Sequence, residues 1–255
     1  MTPSNHRGKF VWYELMTTDT DAAEAFSTGV VGWGTQPFEG GPIPYTMWTK
    51  GEAPVGGLME IPEQADAPPT WMAHVAVEDV DATAARAQEL GATILAGPQD
   101  VPNVGRYVVF KDPQGAVIAA FRGEQEMAGA PGEPEPGDIS WHELMTTDWE
   151  AAWDFYADLF GWEKQEALDM GEAGVYQMYG RPGGQMLGGM YNKTADQPGP
   201  AWLYYIRVAD LDGTVELVKS GGGKIVVDPM EVPGGSRIAV AVDPQGAAFG
   251  LHQVA

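Results

Sequence analysis

The chain has 255 residues, no cysteine and a formal net charge of −22 at pH 7. Without cysteine it has no disulfide framework, no thiolate nucleophile and no cysteine-ligated zinc, so metal ligands are limited to His, Asp, Glu and Tyr. The strong negative charge argues against nucleic acid or an anionic membrane as a partner, because phosphate contacts need clustered Lys and Arg. Residues 1–9 lack the apolar core of a signal peptide and no apolar run reaches membrane-spanning length, so we expect a cytoplasmic protein.

Two eight-residue segments dominate the sequence. WYELMTTD runs from Trp12 to Asp19 and WHELMTTD from Trp141 to Asp148, and the two agree at seven of their eight positions. The chain is therefore a tandem repeat, which favours two domains over one. Each segment alternates like a strand and ends in Thr-Thr-Asp before an Ala-rich run, which predicts a strand leading into the N-cap of a helix.

In chain order, the first half predicts a strand, a helix and three short strands, and then the same order again. The first strand alternates over 11–16, and an amphipathic helix over 19–31 ends at Gly32. Strands separated by Gly and Pro turns follow around 33–38, 45–49 and 55–60. The second set has a strand over 71–78, a helix over 81–90 and strands around 93–96, 106–111 and 116–122, the last two joined by an Asp-Pro-Gln-Gly turn.

The second half repeats this order, with a helix over 148–160 and a second Asp-Pro-Gln-Gly turn at 243–246. Between the halves, residues 123–137 are rich in Gly, Pro and Glu and show no periodicity, which predicts a linker. We therefore predict a first domain at 9–122, the linker at 123–137 and a second domain at 138–255.

Several spaced features of the sequence resemble the vicinal oxygen chelate superfamily, which includes glyoxalase I, bleomycin-resistance proteins and extradiol dioxygenases. They are the helix after the first strand, the Gly-Trp pairs at 32–33 and 161–162, the Val-Asp-Ala-Thr sequence at 80–83 and the late Asp-Pro-Gln-Gly turns. In particular, the chain resembles two-domain, glyoxalase-like bacterial proteins of the mycobacterial antigen type. The resemblance implies an α+β fold of two tandem glyoxalase-like domains, each made of two βαβββ modules that form an open, eight-stranded, barrel-like sheet.

The resemblance also implies a divalent metal with four inward ligands, but the residues at those positions cannot hold a cation. We therefore predict that the usual metal site is missing and that the protein has no metal or other cofactor. In the first half the ligand positions fall on Trp12, Gly56 or Gly57, Met72 and Ala119, and in the second on Trp141, Gly188 or Gly189, Leu203 and Gly250.

Two glutamates are the candidate catalytic residues. Glu14 and Glu143 each lie two residues beyond the first ligand position, on the same strand face. A carboxylate on an apolar, concave face is costly to bury without a partner, and desolvation would raise its pKa toward the range of a general acid or base. Alternatively, each glutamate is structural: it hydrogen-bonds the backbone or a tyrosine inside the barrel, or it forms an ion pair with Arg106 or Arg237.

Aromatic and methionine side chains are expected to line the cavity, and they favour a hydrophobic or planar organic ligand. Histidines on the same face could bind that ligand or hold a displaced metal together with a glutamate. Alternatively, the aromatic residues belong to the core and the histidines are buried with satisfied hydrogen bonds. The candidate ligand-binding residues are Trp12, Trp141, Trp48, Met47, Tyr179, His74, Tyr205, His252, Arg106 and Arg237.

These observations lead to three functional hypotheses. The first is a glyoxalase-like protein that binds a small apolar or aromatic organic compound without the usual metal and either sequesters it or acts on it. The second is a metal-dependent lyase, isomerase or dioxygenase that uses displaced Glu and His ligands. The third is a non-enzymatic module whose acidic surface docks a basic protein. Because two halves can pair within one chain, a monomer suffices, and a dimer remains open.

Overall fold

The computed structural model of the protein describes residues 6–39, 43–63, 65, 67–125, 133–184 and 186–255. Its helices and strands follow one order four times: a strand, a helix and three further strands. The first two modules contain β1 (Phe10–Thr17), α1 (Thr20–Val31), β2 (Gly34–Pro37), β3 (Thr46–Lys50) and β4 (Ala53–Glu60), then β5 (Thr70–Ala76), α2 (Val80–Glu89), β6 (Thr93–Val101), β7 (Gly105–Lys111) and β8 (Val117–Gly123).

The other two modules have the same order of helices and strands, apart from an additional short 3-10 helix at Gly171–Ala173. They contain β9 (Ile139–Thr146), α3 (Trp149–Phe160), β10 (Glu163–Asp169), β11 (Val175–Gly180) and β12 (Met186–Asn192), then β13 (Ala201–Arg207), α4 (Leu211–Ser220), β14 (Lys224–Glu231), β15 (Arg237–Val242) and β16 (Ala248–Gln253).

The strands form two mixed, eight-stranded sheets. Their orders are β2-β3-β4-β1-β5-β8-β7-β6 and β10-β11-β12-β9-β13-β16-β15-β14. In each module the first strand pairs in parallel with the last. Neither sheet is closed into a barrel, so each remains an open, barrel-like sheet. The predicted α+β fold, with two βαβββ modules in each of two tandem domains, is confirmed.

Local capping residues fix the ends of the first and third helices as the sequence predicts. The side chain of Asp19 accepts a hydrogen bond from the Ala22 N–H at 3.0 Å, and Asp148 accepts one from Ala151 at 3.1 Å. Gly32, with φ of 81°, ends α1 in the left-handed region, where a residue without Cβ is unstrained. No helix of the described ranges is long and apolar enough to span a membrane.

The second helix begins one residue earlier than predicted. Its N-cap is Asp79, whose side chain accepts the Ala82 N–H at 3.0 Å, and α2 starts at Val80. Asp81 lies in the first turn instead and forms an ion pair with Arg106. Two aspartates stand two residues apart in the sequence, so helix-start preferences alone do not distinguish them.

The chain forms two compact units that combine segments from both halves. Unit 1 contains Met1–Val11, Ala73–Pro131 and His142–Trp202. Its core includes Tyr156, whose hydroxyl donates to the Asp112 carboxylate at 2.8 Å and accepts from the Trp202 indole N–H at 3.1 Å. These buried polar groups of the aromatic core are therefore satisfied within unit 1.

Unit 2 contains Trp12–Met72, Gly132–Trp141 and Leu203–Ala255. The ring of Trp33 packs against Trp48 and Trp71 at centroid distances of 5.7 and 5.9 Å. The Trp33 indole N–H donates to the Gly137 carbonyl at 2.9 Å. Of the predicted linker, residues 126–132 lie outside the described residues.

Candidate functional site

The first candidate catalytic residue lies in a row of residues that crosses three strands. Glu14 on β1 is aligned with Gly57 on β4, and Gly57 is aligned with Met47 on β3. Aligned residues of neighbouring strands share one face of a sheet, and Trp12 shares it with Glu14 by alternation. Trp12, Glu14 and Met47 therefore lie on the same face, as the sequence indicated.

A tyrosine completes this cluster; the sequence offered such a partner as a structural alternative but did not identify the residue. The ring of Tyr45 lies over Gly57, where a Cβ would overlap it. Its hydroxyl accepts a hydrogen bond from the Trp12 indole N–H at 2.7 Å and is hydrogen-bonded to the Glu14 carboxyl group. Burial, with a smaller contribution from the charge of Glu14, raises the pKa of Tyr45 far above its ordinary value, so the phenol stays neutral.

The second half repeats the arrangement. Glu143 on β9 is aligned with Gly189 on β12, and Gly189 with Met178 on β11. The ring of Tyr176 covers Gly189, and its hydroxyl donates to the Glu143 carboxylate at 2.9 Å. Glu143 and Trp141, which alternate on β9, are both partly exposed, whereas Glu14 is only 8% exposed.

The tyrosines did have a signal in the sequence. Tyr45 precedes Met47 by two residues, and Tyr176 precedes Met178 by two, in the segments YTMW and YQMY. Each segment lies one strand before a Gly-Gly pair. A bulky ring opposite a residue with no side chain is a common way to fill a sheet face, so the repeated pairing could have predicted the contact.

A further phenol joins the glutamate of the second half. Tyr191 stacks on Tyr176 with ring centroids 5.9 Å apart and an interplanar angle of 22°. Its hydroxyl oxygen accepts a hydrogen bond from Gln197 Nε2 at 3.5 Å. Burial and the nearby Glu143 charge raise the pKa of Tyr191 to about 12. The corresponding residue of the first half, two beyond Gly57, is Met59.

The residues at the ligand positions implied by the resemblance do not fit a metal ion. Three of these positions are glycines, and each is covered by a tyrosine ring that a side chain at that glycine would overlap. Across the part of the chain that the structure describes, no group of three or more His, Asp and Glu side chains is arranged to hold a metal. The three pairs are Gly57 with Tyr45, Gly189 with Tyr176, and Gly250 with Tyr205.

The candidate histidine of the first half lies in an aromatic environment. His74 on β5 is 7% exposed. Its ring centroid is 6.3 Å from that of Tyr107 and 6.2 Å from that of Phe121. Both neighbouring rings are aromatic, and neither supplies a second nitrogen or a carboxylate for a metal.

The two candidate ligand-binding residues Tyr205 and His252 of the second half lie on neighbouring strands. Tyr205 on β13 is aligned with Gly250 on β16, and His252 follows two residues later. The His252 Nδ1 atom lies 2.8 Å from Ser140 Oγ, with which it forms a hydrogen bond. Burial and the positive charge of Arg207 lower the pKa of His252, so its ring is neutral at pH 7.

Two predicted cavity residues lie on the opposite sheet face. Trp48 is one residue beyond Met47 and has no exposed surface, and it packs against Trp33. Tyr179 is likewise fully buried, and its hydroxyl donates to the His142 carbonyl at 3.2 Å. Because neighbouring residues of a strand point to opposite faces, both belong to the core and we leave them out of the proposed site.

The two candidate arginines are ion-paired with residues other than the glutamates. Arg106 contacts both carboxylate oxygens of Asp81 at 2.8 and 2.9 Å, and also Asp100 at 2.8 Å. Arg237 makes the equivalent two contacts with Asp212, both at 2.9 Å. Each arginine thus ties a strand to the first turn of a helix, and we do not retain either as a ligand-binding residue.

The fold and these clusters define a tandem βαβββ protein with a glutamate–tyrosine pair in each half. A sequence model of the Glyoxalase/Bleomycin resistance protein/Dioxygenase superfamily matches residues 9–120 and 138–251. The chain belongs to this superfamily and carries one such domain in each half.

Relatives of similar length support the same assignment. The chain is 30% identical over 244 residues to the Mycobacterium tuberculosis protein called glyoxylase CFP32, covering 94% of this chain and 92% of that protein. It is also 30% identical over 265 residues to the anthracycline biosynthesis protein DnrV of Streptomyces peucetius, covering 97% of this chain and 94% of the relative.

Solved structures of the superfamily share the fold at low sequence identity. The Mn(II)-bound glyoxalase from Novosphingobium aromaticivorans matches with a TM-score of 0.62 and 18% identity, covering 97% of this chain and 82% of that one. The 2,2',3-trihydroxybiphenyl 1,2-dioxygenase from Sphingomonas wittichii matches with a TM-score of 0.65 and 12% identity, covering 97% of this chain and 90% of that one. These similarities concern the fold alone.

Proposed function

We propose that the protein binds a small, mostly apolar and aromatic organic molecule at a sheet face that carries a glutamate–tyrosine pair, without the metal that the superfamily's ligand positions imply. One observation carries the proposal. In both halves, a tyrosine ring covers the glycine at a ligand position. The hydroxyl of that tyrosine is hydrogen-bonded to a glutamate, which lies on the strand next to the one that carries the glycine.

The side chains around these pairs suit such a ligand. Organic ligands are held mainly by apolar and aromatic contacts, while a few polar groups set their orientation. In the second half, the ring surfaces of Tyr176 and Tyr191 provide aromatic contact area beside the Glu143 carboxylate, and Met178 shares their face. Methionine adapts to ligands of irregular shape, and aromatic rings stack on planar ones.

The name of one relative agrees with this class of ligand. DnrV is named as an anthracycline biosynthesis protein, and anthracyclines are polycyclic aromatic compounds. A protein that binds a related compound could sequester it. A protein that acts on it would use Glu143 or Glu14 as the acid–base group, since a carboxylate within hydrogen-bond reach of a bound hydroxyl can accept its proton.

A binding experiment tests the proposal directly. Purified protein is titrated with a hydroxyanthraquinone, with a monocyclic catechol and with glucose, and binding is followed by calorimetry and tryptophan fluorescence. We expect the anthraquinone to bind, the catechol to bind more weakly and glucose not to bind. Failure of every aromatic compound to bind would overturn the proposal.

Two variants locate the site, and a third is a matched control. Glu143→Gln and Tyr176→Phe each remove one partner of the pair and should weaken binding about tenfold, as expected when a hydrogen bond of roughly 1–2 kcal/mol is lost. Tyr179→Phe removes a phenol from the same strand but on the opposite face, and should leave binding unchanged.

Metal dependence separates this proposal from metal-dependent catalysis. Protein stripped with a chelator should bind the anthraquinone as tightly as protein reconstituted with Mn²⁺, Fe²⁺ or Zn²⁺. A stoichiometric metal that is needed for binding would overturn the metal-free proposal. Mass spectrometry of the ligand after incubation then distinguishes sequestration from turnover.

A further inference from the structure

We infer that the two halves are not equivalent: the ligand site lies in the second half, at Glu143, Tyr176 and Tyr191, and it selects an aromatic compound in which a hydroxyl group stands next to a carbonyl group. This inference rests on the proposed function and deepens it, because it names the half, the number of ligands per chain and the chemical class.

The glutamate of the first half is more buried than its counterpart in the second half. The Tyr45 hydroxyl accepts the Trp12 indole N–H at 2.7 Å and is hydrogen-bonded to Glu14. A phenol has a single proton, and donation to the carboxyl group of Glu14 uses it. Glu14 itself is 8% exposed. Glu14 is therefore closed off from a ligand by its burial, whereas Glu143 is partly exposed.

The second half contains a donor that the first half lacks. Within the described ranges, the hydrogen bond of Tyr191 is the one that its oxygen accepts from Gln197 at 3.5 Å. Its own proton therefore stays available for a ligand, and the pKa of about 12 keeps the phenol protonated at neutral pH. Met59 stands at the corresponding place in the first half, and a thioether has no proton to donate.

The second site combines an acceptor and a donor on one sheet face. Glu143 and Tyr191 lie on neighbouring parallel strands, with Gly189 aligned to Glu143 and Met145 aligned to Tyr191. A partly exposed carboxylate accepts a hydrogen bond from a ligand hydroxyl, while the Tyr191 phenol donates to a ligand carbonyl. A ligand with these two groups side by side can form a hydrogen bond with each residue at once.

The surrounding charges and rings narrow the class further. The carboxylate of Glu143 would repel a ligand carboxylate or phosphate at this position. Tyr176 and Tyr191 are stacked at 22°, so their rings form a nearly continuous aromatic surface. A flat, uncharged hydroxy-carbonyl aromatic compound fits this combination, whereas an anionic or a purely aliphatic one does not.

The test compares 1-hydroxyanthraquinone with anthraquinone, which has the carbonyl groups but no hydroxyl, and with 1-hydroxyanthracene, which has the hydroxyl but no carbonyl. Calorimetry on the full chain should give one 1-hydroxyanthraquinone per chain, bound about tenfold more tightly than either of the other two compounds. Two equivalent ligands per chain would overturn the inference and leave the proposed function standing.

Variants assign the donor role. Tyr191→Phe should weaken 1-hydroxyanthraquinone about tenfold and leave 1-hydroxyanthracene unchanged, because only the former presents a carbonyl to the phenol. Met59→Leu is the matched control at the corresponding position of the first half, and it should change neither affinity nor stoichiometry. Circular dichroism and the melting temperature confirm that each variant is folded.

The outcomes separate the two claims. Suppose that Tyr191→Phe binds 1-hydroxyanthraquinone as tightly as wild type does, while Glu143→Gln binds it more weakly. That result would overturn the donor role of Tyr191 but not aromatic binding. Absence of binding by all three compounds would overturn both the proposed function and this inference.

Discussion

Replacing Gly189 by alanine should displace the tyrosine on which the second glutamate cluster depends. A Cβ at residue 189 would overlap the ring of Tyr176 and come within 2.6 Å of its hydroxyl oxygen. The overlap involves a ring that is stacked on Tyr191 and hydrogen-bonded to Glu143, so a shift of the ring disturbs both contacts.

The size of the effect follows from two contributions. Inserting a methyl group into a packed position costs about 1–3 kcal/mol. Losing the hydrogen bond from a phenol to a carboxylate costs roughly 1.5–3 kcal/mol. The displaced tyrosine can recover part of the lost hydrogen-bond energy from solvent. We therefore expect the free energy of unfolding to fall by roughly 2–5 kcal/mol. For a chain of this size that corresponds to a melting temperature lower by about 5–15 °C.

The assay is thermal unfolding followed by circular dichroism, with Gly29→Ala as the matched control. Gly29 lies within α1, and a Cβ there would meet nothing within 4 Å. Alanine is favoured over glycine in a helix by about 0.8–1 kcal/mol, so this variant should be slightly more stable than wild type. The same Gly→Ala change thus has opposite expected signs at the two positions.

A double variant identifies the cause. In a Tyr176→Ala background the ring is gone, so adding Gly189→Ala should cost much less than it does in wild type, with a coupling energy of about 1–3 kcal/mol. An equal cost in both backgrounds, or no cost in wild type, would refute the conclusion that Tyr176 fills the space over Gly189.

Three further predictions concern other parts of the molecule. Gln114→Ala should lower the free energy of unfolding by about 1–3 kcal/mol, because it removes two hydrogen bonds to Asp148. The Gln114 amide oxygen accepts the Asp148 N–H at 2.6 Å, and its Nε2 donates to the Asp148 carbonyl at 2.8 Å. An unchanged denaturant midpoint would contradict this prediction. Burial lowers the pKa of His142 to about 3, below its ordinary 6.5, so the folded protein disfavours the charged ring. The free energy of unfolding is therefore highest above pH 6.5 and falls toward pH 3, by up to about 1.4 kcal/mol per pH unit. His142→Phe should flatten this part of the pH–stability curve. Finally, a chelator should leave the melting temperature unchanged, and a fall of several degrees that added metal reverses would contradict the metal-free site.

The sequence by itself determined the modules and the ends of the first and third helices, since these depend on local chemistry. An aspartate such as Asp19 caps a helix through neighbours three residues away, and Gly32 ends it because a left-handed residue there needs no Cβ. Strand alternation likewise placed Glu14 and Trp12 on one face. These features survive in any arrangement of the strands, because they need no information about distant residues.

Other features depended on residues far apart in the chain, and for them local patterns were insufficient. Asp79 caps α2, while Asp81 forms an ion pair with Arg106 on β7, a contact that local sequence does not reveal. Whether Trp48 lies on the Glu14 face or in the core is decided by the register between β3 and β4, which pairs Met47 with Gly57. A one-residue change of register exchanges the faces, so composition alone cannot settle the matter.

The glutamate–tyrosine pairs are the clearest case of a feature that only the tertiary structure decided. The sequence showed the glutamates and the Gly-Gly pairs, but it left the partner of each carboxylate open between the backbone, an unidentified tyrosine and an arginine. In the folded chain Arg106 and Arg237 bind aspartates at the starts of helices, and the ring of a tyrosine fits over each glycine and reaches the glutamate. The pairing depends on strand register and on the empty space beside a residue without a side chain. Both are properties of aligned strands, which no single segment of the sequence contains.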